Sequence, residues 1–240
     1  MASARVGPQP EDRGWLRQRA AMVRRVSEIM AATAPETGIE DLDDHVRAAL
    51  EAVPRHRFVP AEMRERAYAD AALPIGYGQT ISQPFIVALM TQLASVSPGS
   101  IVLEVGTGSG YQAAVLAELA ERVYSIEIVP ELTRRASAVL TDLGYDNIEV
   151  RSGDGFCGWE EHAPFDVVLL TAAAPEVPPP LVEQLRPGGR MILPLGLPGG
   201  PQNLVLLTKQ LDGGIEATCE LPVAFVPLIR EDLEAGDDRG

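Results

Sequence analysis

A chain of 240 residues, 46% of them hydrophobic, is long enough to bury one α/β core, so one catalytic domain with small additions is expected. Its 34 acidic against 20 basic residues give a formal net charge of −14, which opposes binding to phosphate backbones and anionic lipid and argues against nucleic acid or a membrane as partner. Cys157 and Cys219 suggest neither a disulfide framework nor a metal knuckle, no charged-then-apolar leader opens the chain, and every apolar stretch breaks before about 18 residues. A cytoplasmic monomer is the expectation. Lys209 is the only lysine, a bias that reads as genome composition.

Met1 to about Glu11 has no apolar period and is expected to fray. Trp15, Leu16, Val23, Val26, Ile29 and Met30 recur at helical spacing. A second helix is predicted from Asp41 as N-cap, with Leu42, Val46, Ala49, Leu50 and Val53 on one face and Pro54 closing it. From Pro54 to Pro84, four prolines with Gly76 and Gly78 predict an ordered loop with a helical turn near Met63 to Tyr68. Its apolar residues, among them Phe58, Leu73, Ile75 and Ile81, are too many to leave solvated.

Beyond Gly99, short apolar runs alternate with helical patterns. Strands are predicted over Ile101 to Val105, Val123 to Ile126, Ile148 to Val150, Val167 to Thr171 and Met191 to Leu195. Helices are predicted over Tyr111 to Ala120, Glu131 to Leu143 and Pro179 to Leu185. That alternation implies a parallel, doubly wound sheet with right-handed crossovers. Leu204 to Thr208 and Ile215 to Leu221 flank Asp212-Gly213-Gly214 and predict a closing antiparallel hairpin. The expected organisation is an N-terminal extension over 1–25, a helical and substrate-loop region over 26–98, a cofactor-binding core over 99–230 and a solvated acidic tail over 231–240, with 26–230 a single catalytic unit.

The sharpest motif runs from Val102 through Glu104, Gly106, Thr107, Gly108, Ser109 and Gly110: an apolar strand, a glycine-rich turn, then a helix. Such a turn lets backbone approach a ligand and aims helix amides at it. Tyr111 stands where a dinucleotide fingerprint wants its third glycine, and acidic Glu104 suits the ammonium of S-adenosyl-L-methionine (AdoMet) better than a pyrophosphate. A nicotinamide or flavin domain is the competing reading. Glu127, seventeen positions after Gly110, ends the second strand where such folds place an acceptor for ribose hydroxyls. Asp154, between Gly153 and Gly155, is either a turn residue or an acceptor for an adenine amino group.

The segment Ala72-Leu73-Pro74-Ile75-Gly76-Tyr77-Gly78-Gln79-Thr80-Ile81-Ser82-Gln83-Pro84 resembles the signature of protein-L-isoaspartate O-methyltransferases. Val102 to Tyr111, Gly153-Asp154-Gly155 with Trp159, Thr171-Ala172-Ala173, Gly188-Gly189-Arg190 and Phe225-Val226-Pro227-Leu228 are similar to the same family in the same order. The resemblance implies a Rossmann-like class I AdoMet-dependent methyltransferase fold, AdoMet as methyl donor without a metal, and isoaspartyl-containing proteins and peptides as partners. It places Ser82 at the family's catalytic serine position with Thr80 beside it, and Ile75, Gly76, Gln79 and Ile81 on the substrate loop. Spacing alone allows another role, since Pro84 fits the first position of a helix through Phe85, Ile86, Leu89 and Met90, which makes Ser82 and Gln83 candidate caps.

His45, His56 and His162 form no ligand spacing and read as surface residues, with His56 where the family usually shows an acid, and Trp159 and Phe156 read as core. Two rival functions remain. A peptide-tailoring relative of the isoaspartyl enzymes would methylate an aspartate of a ribosomally made peptide, though an extra domain is expected there. A non-catalytic AdoMet-binding or peptide-binding module would bind without turnover.

Overall fold

The computed structural model describes residues 12–197 and 199–230, so the expected fraying at Met1 to Glu11 and the acidic tail lie outside the described residues. Helix α1 (Asp12–Ala32) buries Met22, Val23, Val26 and Met30 along one stripe, as its spacing predicts. A short α2 (Ala34–Thr37) follows, and α3 spans Asp44–Ala52. The cap of α3 is Asp43, whose carboxylate accepts from the His45 N–H at 2.8 Å, and not Asp41. Gln92 explains the shift: its amide donates to the Asp41 carbonyl and accepts from the Asp43 N–H, pinning that segment ahead of the first turn.

Between Pro54 and Pro84 the chain is ordered but not simply a loop. It makes 3₁₀ turns at Arg55–Phe58 and Ala61–Arg66, then an antiparallel hairpin of β1 (Leu73–Gly76) and β2 (Gln79–Ile81). Leu73 and Ile75 are buried while Pro74 and Gly76 are exposed, the period-two pattern of a strand. Tyr77, at φ 55°, turns the corner between Gly76 and Gly78.

Helix α4 (Pro84–Ala94) is apolar nearly all round and packs against α1, α3, α5 (Tyr111–Ala117) and the sheet. Leu89 and Ala88 at its centre are 0% exposed, so truncating Leu89 to alanine costs about 2–5 kcal/mol. This helix gives the substrate loop a rigid base.

The main sheet has seven strands in the order β5 (Ile148–Ser152), β4 (Arg122–Glu127), β3 (Ile101–Val105), β6 (Phe165–Leu170), β7 (Leu185–Gly196), β8 (Gln202–Lys209), β9 (Ile215–Val223). The first five are parallel, and β8 and β9 close it as the antiparallel hairpin predicted around Asp212-Gly213-Gly214. Alternate residues feed two cores. Val102, Leu169, Ile192 and Leu206 face α1, α3, α4, α5 and α6 (Pro130–Asp142), whereas Leu103, Val105, Val168 and Leu193 face α7 (Pro179–Gln184) and Trp159.

Two surface readings need correction. His56 is half-buried, stacked on Trp15 at 4.6 Å with its Nδ1 2.8 Å from the Tyr68 hydroxyl, and His162 stacks on Tyr124 at 3.9 Å. Apolar ring faces draw both imidazoles in. Trp159 is buried as expected, but Phe156 is only half-buried, beneath the Arg230 guanidinium at 3.7 Å. Lys209 also has a structural role, because its ammonium donates to the carbonyls of Val182 at 2.8 Å and Leu185 at 2.7 Å and so closes the C-terminus of α7.

Candidate active site

The chain leaves β3 toward β4 and β5 on one side and returns to β6 on the other, so a crevice opens where the strand order reverses. There an open cavity is lined by Val105 to Ser109 after β3, Ile126 to Ile128 at the end of β4, Gly155, Thr171 and Ala172. Gln79 to Ser82 from the small hairpin, Tyr111 and Gln112 from α5, Val87 from α4 and Val226 to Ile229 from the C-terminal segment complete its walls.

The glycines are required by shape. Gly106 has φ 96°, and a side chain there would collide with the Thr171 hydroxyl, which itself donates to the Gly106 carbonyl. Glu127 is buried at 5% exposure, accepting from the Gly108 N–H at 2.7 Å and the Val129 N–H at 2.9 Å. Its carboxylate therefore holds the glycine turn and lines the cavity as well.

Glu104 and Asp154 are not on the cavity wall. Glu104 lies one layer beneath it, 0% exposed, with Oε2 accepting from Ser125 Oγ, and that hydroxyl stands 2.6 Å from Thr107 Oγ1 on the wall. Oε1 has no hydrogen-bond partner. Burial pushes the Glu104 carboxyl up from 4.5 to about 8; the Ser125 bond opposes that shift, and the nearby Glu127 charge adds to it. Asp154 Oδ1 accepts from the Phe156 N–H at 2.8 Å and so shapes the turn that brings Gly155 to the wall. Gly110 caps α5 at φ 87° and packs on α6, away from the cavity.

The hairpin sits directly on the glycine turn: Ile75 reaches within 3.7 Å of where a Gly108 side chain would begin, and its carbonyl accepts from Arg135 at 2.8 Å. Ile75 and Gly76 lie outside the cavity, while Gln79, Thr80, Ile81 and Ser82 line it. A second cleft of about 400 Å³ adjoins the first and shares Thr80, Ser82, Thr171 and Val226 with it; Ile86, Val223 and Phe225 give it apolar walls. Ser82 and Gln83 are not side-chain caps of α4. Asp70 takes that role from a distance, accepting from the Phe85 N–H at 3.0 Å and from Gln83 Nε2 at 2.7 Å. Ser82 borders both clefts.

These residues fit AdoMet. A buried carboxyl with one unpartnered oxygen beneath the glycine turn suits a cationic ligand, Glu127 suits vicinal hydroxyls, and Gly155, packed on Val105 with no side chain of its own, presents bare backbone at the wall. Among the described residues no three His, Cys, Asp or Glu side chains cluster to hold a metal, and no helix is long and apolar enough to cross a membrane.

Fold and site together define a class I AdoMet-dependent methyltransferase. The family model described as protein-L-isoaspartate(D-aspartate) O-methyltransferase matches residues 26–233. The chain belongs to that family. It is 56% identical over 207 residues to protein-L-isoaspartate O-methyltransferase 2 of Polaromonas sp., covering 86% of this chain and 98% of the relative. It is equally 56% identical over 210 residues to the enzyme of the same name from Syntrophobacter fumaroxidans, covering 88% and 85%. A solved protein-L-isoaspartate O-methyltransferase superposes with a TM-score of 0.77 at 28% identity, over 87% of this chain and 65% of that one. A Plasmodium falciparum structure titled a putative enzyme of this kind, in complex with S-adenosyl-L-homocysteine, shares the fold at a TM-score of 0.73 and 24% identity, over 90% of this chain and 99% of that one.

Several residues here have no counterpart in the sequence reading: Ser125, Gln112 and Ile128 near the cofactor cavity, and Pro222 to Ala224 in the second cleft. Ser125 had one available signal. It is a polar residue within an apolar strand and falls in register beside Glu104.

Proposed function

We propose that the protein transfers a methyl group from AdoMet to the free α-carboxylate of L-isoaspartyl residues in damaged proteins and peptides. The observation that carries this reading is the shared wall: Thr80 and Ser82 border both the cofactor cavity and the open second cleft, where a donor and a peptide would meet.

Glu127 would accept from the ribose hydroxyls, Glu104, protonated while the site is empty, would ionise as the cationic ammonium binds above it through Ser125 and Thr107, and Asp154 with Gly155 would border the adenine. AdoMet supplies a methyl group already activated on a sulfonium. A carboxylate is ionised near neutral pH, so proton transfer contributes little and alignment contributes most. Ser82 and Thr80 would orient the carboxylate oxygens, with Gln79 and Ile81 completing the wall on that side. The resulting methyl ester is a better electrophile than the carboxylate: attack by the neighbouring backbone nitrogen on the ester carbonyl expels methanol and closes a succinimide, whose hydrolysis returns some sites to normal aspartyl linkage.

The test follows an isoaspartyl peptide over repeated cycles with the protein and AdoMet. Loss of isoaspartyl peptide, with succinimide and then aspartyl peptide appearing, is expected. An unchanged isoaspartyl content would overturn the proposal.

A further inference from the structure

We infer that Arg55 is a positioning residue for methyl transfer, fixing the backbone of the substrate loop so that Ser82 stays between the two clefts. The inference rests on the isoaspartyl reading and extends it to a residue outside both cavities.

Arg55 is 0% exposed, and among the described residues no carboxylate lies within ion-pair distance of it. A buried charge without a close ionic partner is expensive; Asp70 attracts it from longer range, Nη1 has no hydrogen-bond partner, and the other donors show where the group is anchored. Nε donates to the Ala67 carbonyl at 2.8 Å, and Nη2 donates to the Ser82 carbonyl at 2.7 Å and more weakly to that of Ala71 at 3.4 Å. All three acceptors belong to the one segment that leads into and out of the substrate loop. Beneath the guanidinium lies the Tyr111 ring at 4.8 Å, and Tyr111 lines the cofactor cavity at the start of α5. Burial lowers the Arg55 pKa from 12.5 to about 10, which leaves it charged at neutral pH.

Ser82 falls between the end of β2 at Ile81 and the start of α4 at Pro84. Neither element's ladder ties its carbonyl, and the guanidinium does. Asp70 clamps the following residues through Gln83 Nε2 and the Phe85 N–H. The two side chains thus divide the loop's exit between them. A planar fork that reaches three carbonyls in fixed directions requires arginine, and lysine cannot reproduce it.

The experiment is a double-mutant cycle of Arg55→Lys and Ser82→Ala, with kcat and KM measured on an isoaspartyl peptide and AdoMet affinity measured by calorimetry. Arg55→Lys is expected to lower kcat on the order of 10-fold or more while AdoMet affinity stays within about threefold, since misplacement of an aligning group acts on turnover. The double variant is expected to be no slower than Ser82→Ala alone, because the hydroxyl that Arg55 positions is already gone. Arg55→Met, which keeps bulk without charge, guards against a folding defect. Losses that multiply, a wild-type kcat in either single variant, or loss of AdoMet binding in both Arg55 variants would overturn the inference and leave Arg55 as a residue of the fold. A wild-type protein that methylates no isoaspartyl peptide would overturn the underlying reading as well, a failure seen before any substitution is made.

Discussion

The Gly108 N–H donates a 2.7 Å hydrogen bond to Oε2 of Glu127, so the carboxylate that ends β4 holds the glycine turn that follows β3. Two neighbouring parallel strands are thereby locked at the point where the cofactor cavity opens. Removing that side chain takes away both a proposed ribose acceptor and a brace of the turn. Glu127→Ala is expected to weaken AdoMet binding by roughly 1.5–3 kcal/mol, about 10-fold to 150-fold. Calorimetry that finds wild-type affinity in the folded variant would remove Glu127 from the site.

Glu104 makes the ligand-free protein sensitive to pH. Its carboxyl titrates at about 8 when folded against an ordinary 4.5, so the folded state binds this proton more tightly than the unfolded state. The contribution is fully present below 4.5 and is lost as pH rises through about 8. The melting temperature should therefore fall between about pH 5 and about pH 8 more steeply in the wild-type protein than in Glu104→Gln, which cannot ionise. Parallel slopes for the two proteins would contradict the buried, protonated state.

Ser82→Ala separates alignment from capping. With Asp70 bonding the Phe85 N–H in place of a Ser82 cap, the variant should melt within about 0.5 kcal/mol of wild type, the range of an ordinary surface substitution. AdoMet affinity should be nearly unchanged, and turnover of an isoaspartyl peptide should fall on the order of 10-fold to 10³-fold. Full turnover on folded protein would shift the aligning contact to Thr80.

Lys209 supplies a control away from the chemistry. Lys209→Met strips the α7 terminus of its ammonium and should cost about 1–2 kcal/mol of stability, with kcat per folded molecule unchanged. A chemical denaturation curve beside a turnover assay reads both, and an unaltered midpoint would refute the capping role.

Where local pattern and fold agree, the sequence was readable. Ile101 to Tyr111 declares a strand, a turn and a helix because an apolar run interrupted only by Glu104 leads into glycines that a left-handed turn requires, and the structure has all three there. The β8–β9 hairpin was legible for the same kind of reason, with Asp212 Oδ1 accepting from the Gly214 N–H in its turn. Depth was not legible. Glu104 reads as an acid near a cofactor, but only the pairing of β3 with β4 places it beside Ser125 and beneath Thr107. Arg55 reads as an ordinary charged loop residue, since arginine is rarely buried without a partner. Its acceptors lie 12 to 27 residues away and become neighbours only once the chain has folded. The hairpin β1–β2 escaped notice because Pro74 and the glycines at its corner argue for a loop, although the alternation of buried Leu73 and Ile75 carries the strand period.

Methyl transfer to matched peptides tests the central claim most directly: one peptide carries an L-isoaspartyl residue, the other a normal aspartyl residue in the same sequence, and each is incubated with the protein and labelled AdoMet. Base-labile methyl ester is then counted. The proposed function predicts ester on the isoaspartyl peptide and background on the aspartyl one. Equal labelling of both, or labelling that survives base, would contradict a carboxyl methyltransferase that recognises isoaspartyl sites.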